Sequence, residues 1–70
     1  MFIYTKHALE KMDGLGFSRH EIEQTILYGM KWKEKQSDKW HAQMAGIEVV
    51  FIPQQSSHFI ITAYQARRSK

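Results

Sequence analysis

Trp40-His41-Ala42-Gln43-Met44-Ala45-Gly46-Ile47-Glu48-Val49-Val50-Phe51 decides the fold. A two-residue turn at Ala45-Gly46 folds this stretch on itself. It sets Met44 against Ile47, Ala42 against Val49 and Trp40 against Phe51, so apolar residues meet apolar residues across the ladder. The period of two extends outward, and Trp32, Trp40, Ala42, Met44, Ile47, Val49, Phe51, Phe59, Ile61 and Ala63 all fit one buried face. Setting Phe51 opposite Phe59 and Val49 opposite Ile61 turns Lys39, His41, Gln43, Glu48, Val50, His58, Ile60, Thr62 and Tyr64 to the other face. The pattern predicts a four-stranded antiparallel meander. The pairing of its first strand, near Trp32, stays open, because a turn over Lys35 to Lys39 allows several registers.

Upstream the period changes to that of helices. Phe2, Ile3 and Tyr4 form a candidate short leading strand, after which Thr5 caps a helix from Lys6 to about Asp13 that Gly14 and Gly16 stop. Ala8, Leu9 and Met12 make its apolar stripe; His7 and Lys11, four residues apart, share the neighbouring face. Ser18 and Glu21 then make a capping box, with Phe17 and Ile22 at the staple positions. This second helix is predicted over Arg19 to Tyr28, with Ile22, Thr25 and Ile26 buried and Gly29 as its left-handed stop. The fold class is α+β, two N-terminal helices on one face of the meander.

At 70 residues the chain is one domain, and 43% hydrophobic residues supply one compact core rather than a disordered chain. With no cysteine there are no disulfides and no thiolate metal sites, which suits a reducing cytoplasm. No apolar run approaches membrane-spanning length, and the start is too short for a signal peptide, so a cytoplasmic protein without a membrane is the expectation. The net charge is +3, with basic residues at Lys31 to Lys39 and in the tail Arg67, Arg68 and Lys70. A soluble surface and attraction to phosphates account for that excess equally well.

Five polar residues, His7, Lys11, His41, Thr62 and Tyr64, fall where burying a core does not require them. They belong to runs that resemble a known family. Tyr4-Thr5-Lys6-His7-Ala8-Leu9-Glu10-Lys11-Met12, then Gly16-Phe17-Ser18-Arg19-His20-Glu21-Ile22-Glu23, a glycine-led strand with Val49-Val50, and a closing Ile61-Thr62-Ala63-Tyr64 are similar to the domain of unknown function numbered 4258. Where that family usually carries Arg after His-Ala, this chain has Lys11, which lacks the bidentate fork of a guanidinium.

The resemblance implies a fold similar to the RelE and BrnT type toxins, metal-independent ribonucleases held by an antitoxin-like protein partner. Such cleavage needs a base for the 2′-hydroxyl, an acid for the leaving oxygen and a cation for the charged phosphorane. His7 suits the base, His41 the acid and Lys11 the phosphate, while Tyr64 and Thr62 orient the RNA or stack a base, with Arg67 and Arg68 adding charge. No cofactor or metal is called for, since the four histidines show neither i, i+4 nor His-x-His spacing.

Each residue also has a plainer reading. His7 covers a helix start, Lys11 is a solvated stem, Thr62 a strand residue, and Tyr64 closes the core's edge. The alternative function is a non-catalytic interaction module. Its open sheet face, centred on Val50 and Ile60, would bind a partner or a second copy in a homodimer.

Overall fold

The computed structural model describes residues 1–66. Its elements run β1 (Phe2–Tyr4), α1 (Lys6–Leu15), α2 (Arg19–Tyr28), β2 (Met30–Lys33), β3 (Trp40–Met44), β4 (Ile47–Gln54) and β5 (Ser57–Gln65). The strands form one five-stranded sheet in the order β1-β5-β4-β3-β2. It is mixed rather than an antiparallel meander of four, because the leading strand joins the edge and runs parallel to β5, with Ile3 opposite Phe59. The two helices cover one face, where Ala8, Met12, Ile22 and Ile26 pack on Ala42, Ile47, Val49, Phe51, Ile60 and Ala63.

The hairpin forms as its sequence dictates. Trp40 pairs with Phe51, Ala42 with Val49 and Met44 with Ile47. The turn takes positive φ at both central residues, 53° at Ala45 and 83° at Gly46, which matches the twist of the flanking strands.

Between β4 and β5 the expected register fails on both sides of Val50. Val50 pairs with Thr62 and Phe51 with Ile60, so Ile61 is an extra residue in β5. A bulge of this kind shifts the alternation by one. Thr62 keeps its outward direction, but Ile60 turns into the core at 0% exposure, Phe59 pairs with Ile52 on the far face, and Val49 meets Ala63 instead of Ile61. Thr5 braces the bulge: its N–H donates to the Ile60 carbonyl at 3.1 Å and its hydroxyl to the Ile61 carbonyl at 3.0 Å.

The same hydroxyl accepts from the Ala8 N–H and starts α1, which runs on through Gly14 to Leu15 and ends at left-handed Gly16, φ 75°. Gly14 does not stop it. The second helix has its capping box and spans the predicted residues. Gly29, however, is extended rather than left-handed. A methyl group there would lie 2.5 Å from the Thr25 carbonyl oxygen and 2.7 Å from that of Gln43, so close approach of helix end and strand is what demands glycine. Tyr4 ties β1 to α2, its hydroxyl donating to Glu23 at 2.7 Å beneath the Arg19 guanidinium. No helix among the described residues is long and apolar enough to cross a membrane.

Candidate functional site

The face of the sheet away from the helices carries two cross-strand rows. One is Trp32, His41, Val50 and Thr62; the next is Met30, Gln43, Glu48 and Tyr64. The register of β2 therefore places Trp32 on the open face and not in the core as its spacing predicted. There its ring stacks on His41, with centroids 5.2 Å apart and planes 10° from parallel.

His41 lies between two carboxylates. Its Nδ1 is 2.7 Å from Glu48 Oε2 and its Nε2 is 2.6 Å from Glu34 Oε2. A ring bonded to a carboxylate at each nitrogen uses two N–H donors and so is the imidazolium form. Burial works against that charge, yet the hydrogen bonds to Glu34 and Glu48 outweigh it and raise the His41 pKa above its ordinary value. Glu34, in the β2–β3 connection, is held below the usual carboxylate range by its bond to His41. The Tyr64 hydroxyl donates to the same Glu48 oxygen at 2.7 Å. Burial first, then Glu48, push its pKa up to about 12, so it remains a neutral donor. Tyr64, Glu48, His41 and Glu34 thus form one continuous hydrogen-bonded chain under Trp32. Chains of this kind polarise one another in a partly desolvated setting.

Of the sequence-derived candidates, the structure brings His41, Tyr64 and Thr62 to this face. His7 and Lys11 are exposed on α1, whose Ala8 and Met12 pack against the opposite face of the sheet. They stand in the helix layer and do not join the His41 chain. Arg67 and Arg68 lie outside the described residues. The sequence alone does not single out Glu34 or Glu48. Glu48 was legible as an outward neighbour of the Thr62 strand, whereas Glu34 depends on the β2 register that the turn leaves open.

The apolar centre expected from Val50 and Ile60 is not present. Ile60 is in the core, and Val50 points outward but is only 5% exposed, covered by the side chains around it. That pair offers no interface. On the helix side an open groove of about 330 Å³ lies between Ile26, Leu27, Lys31, Trp40, Phe51, Pro53 and His58. His58 stacks on Phe2 at 5.2 Å, and burial, followed by the charges of the N-terminus and Lys31, lowers its pKa. Among the described residues no group of three His, Cys, Asp or Glu side chains is arranged to hold a metal ion.

The family model for a domain of unknown function, DUF4258, matches residues 4–65, from the Tyr4 that anchors β1 to the last residue of β5. The chain belongs to the DUF4258 family. Its match spans both helices and strands β2 to β5, so this DUF4258 domain carries the whole Tyr64-Glu48-His41-Glu34 chain inside the family boundary. No curated protein and no solved structure matches the sequence.

Proposed function

We propose that this DUF4258 domain is a toxin-like, RNA-interacting protein of the RelE and BrnT kind, and that it cleaves RNA without a metal at the open sheet face. The observation that carries the reading is the Tyr64-Glu48-His41-Glu34 chain roofed by Trp32, a set of charged and aromatic groups that core packing does not require. The 2′-hydroxyl attacks phosphorus as its proton passes to a Glu48 carboxylate oxygen. The bond from phosphorus to the 5′-oxygen breaks, and that oxygen takes the proton from His41 Nε2. The products are a 2′,3′-cyclic phosphate and a free 5′-hydroxyl, with Glu48 left protonated and His41 neutral until water exchanges the protons. Glu34 must first leave Nε2, which its partly exposed side chain permits. Trp32 supplies a stacking surface and Tyr64 a donor for the charged phosphorane.

A second reading has its own support. Both His41 nitrogens are already bound to carboxylates, an arrangement that braces a surface as well as it runs proton transfer, and it favours a non-catalytic module that binds a protein partner. End-labelled RNA incubated with the purified domain, with and without EDTA, separates the two. Cyclic-phosphate ends that persist in EDTA and fall at least about 100-fold in His41→Asn support the ribonuclease. Intact RNA under all conditions replaces it with the interaction module.

A further inference from the structure

The open edge of the sheet at β2 has features that neither the core nor the His41 chain explains. All four residues of β2 are exposed, and nothing in the described residues pairs with its outer side. Within the short run from α2 into β2, Leu27 is 49% exposed, Tyr28 71%, Met30 66% and Trp32 37%. Large apolar side chains concentrated beside an unpaired strand mark a binding edge.

The hydrogen bond from the Glu34 N–H to the Lys39 carbonyl, 2.9 Å, fixes which backbone groups are free. In an antiparallel ladder bonded pairs recur at every second residue, so Trp32 with His41 and Met30 with Gln43 exchange the ladder bonds. The N–H and C=O of Lys31 and Lys33 then point out of the sheet. The Lys31 ammonium caps the end of α2 through the Gly29 carbonyl at 3.0 Å, and Lys33 carries a second charge on the same face. No carboxylate pairs with either, the ion pairs among the described residues being those of His41 with Glu34 and Glu48.

This arrangement selects its occupant. A second copy that pairs through the same edge must use its own Lys31 and Lys33 backbone groups. Every such antiparallel register sets lysine against lysine, a repulsion that natural edges use to prevent self-association. We infer that the β2 edge takes an extended, acidic segment of a partner protein as a sixth strand, in which acidic residues stand opposite Lys31 and Lys33 and an apolar residue between them packs beside Trp32. Backbone bonds to Lys31 and Lys33 supply the affinity, and the acidic-apolar-acidic alternation supplies the choice of partner.

The probe is the acetylated peptide Val-Glu-Val-Glu-Val, with amide hydrogen exchange of the full chain followed residue by residue. Saturating peptide slows exchange at Lys31 and Lys33 by about tenfold or more, as new ladder bonds should. Val-Lys-Val-Lys-Val has no such effect, and the double variant Lys31→Glu with Lys33→Glu exchanges the two preferences. N-methylation of the central Val, whose N–H points away from β2, leaves binding intact, whereas N-methylation of both Glu residues abolishes it. Equal binding by the Glu-methylated peptide overturns strand addition, as does unchanged exchange at both lysines. Protection of the same amides by oligouridine in preference to the acidic peptide assigns the edge to nucleic acid instead. Protection that grows with protein concentration alone assigns it to a second copy.

Discussion

The Thr5 hydroxyl donates to the Ile61 carbonyl at 3.0 Å while accepting from the Ala8 N–H at the same distance. One side chain therefore fixes both the start of α1 and the bulge that turns Ile60 into the core. Thr5→Val keeps the shape but loses the cap and leaves the Ile61 carbonyl without this donor, for a combined cost of about 2 kcal/mol. Thr5→Ser retains both bonds and should unfold within about 0.5 kcal/mol of the parent. Urea unfolding of the two variants checks the pair; equal midpoints would mean that Thr5 does not brace the bulge.

Gly29 tests the approach of helix and sheet. An added methyl collides with backbone oxygens of Thr25 and Gln43, atoms that cannot rotate aside. Gly29→Ala is therefore overpacked despite an ordinary φ, with a cost of about 1–3 kcal/mol and a fall in Tm of roughly 5 °C or more. In Gly14→Ala, by contrast, the new Cβ meets nothing within 4 Å in the interior of α1, and the change raises stability by about 0.5–1 kcal/mol. A melting comparison in which both variants behave alike would contradict this packing.

The His41–Glu34 bond makes stability depend on pH in two directions. The folded pKa of His41 is raised, so its contribution is complete below the ordinary value of 6.5 and disappears as pH rises through the folded value. The folded pKa of Glu34 is lowered, so its contribution is complete above the ordinary 4.5 and disappears as pH falls through the folded value. The Tm difference between the parent and Glu34→Gln should therefore be largest between these two values and shrink on either side. A difference that keeps growing above neutral pH would show that His41 is not the charged partner.

What the sequence disclosed follows from where its signals are local. The Trp40–Phe51 hairpin is legible because a tight Ala45-Gly46 turn and strict alternation agree, and α2 because Ser18 and Glu21 mark its start within a single turn of chain. The bulge is not legible, since Phe59-Ile60-Ile61 are three apolar residues in succession and fit either face. The alternation points Trp32 to the wrong face for a related reason: the turn before Lys39 hides the β2 register, and with it the contact of Glu34 with His41. His7 and Lys11 share a helix face as their spacing requires, but spacing within α1 carries no information about the side of the sheet on which that helix packs.

Variants of the proposed ribonuclease sort by the face of the sheet they occupy. Glu48 accepts from both His41 and Tyr64, so Glu48→Gln removes the carboxylate that takes the proton and leaves only a neutral amide oxygen to accept from them. RNA cleavage should fall by about 10²- to 10⁴-fold in Glu48→Gln and in His41→Asn, and the double variant should lose little more than either, since the two act as one unit. Tyr64→Phe keeps the ring and loses a donor to the phosphorane, for about 10²-fold. His7→Ala and Lys11→Ala alter exposed groups in the helix layer and should leave cleavage within about threefold of the parent. Single-turnover cleavage of one RNA by all six variants, each first shown to keep the parent's melting profile, provides the measurement. A loss in His7→Ala comparable to that in His41→Asn would move the chemistry off the sheet face and onto α1.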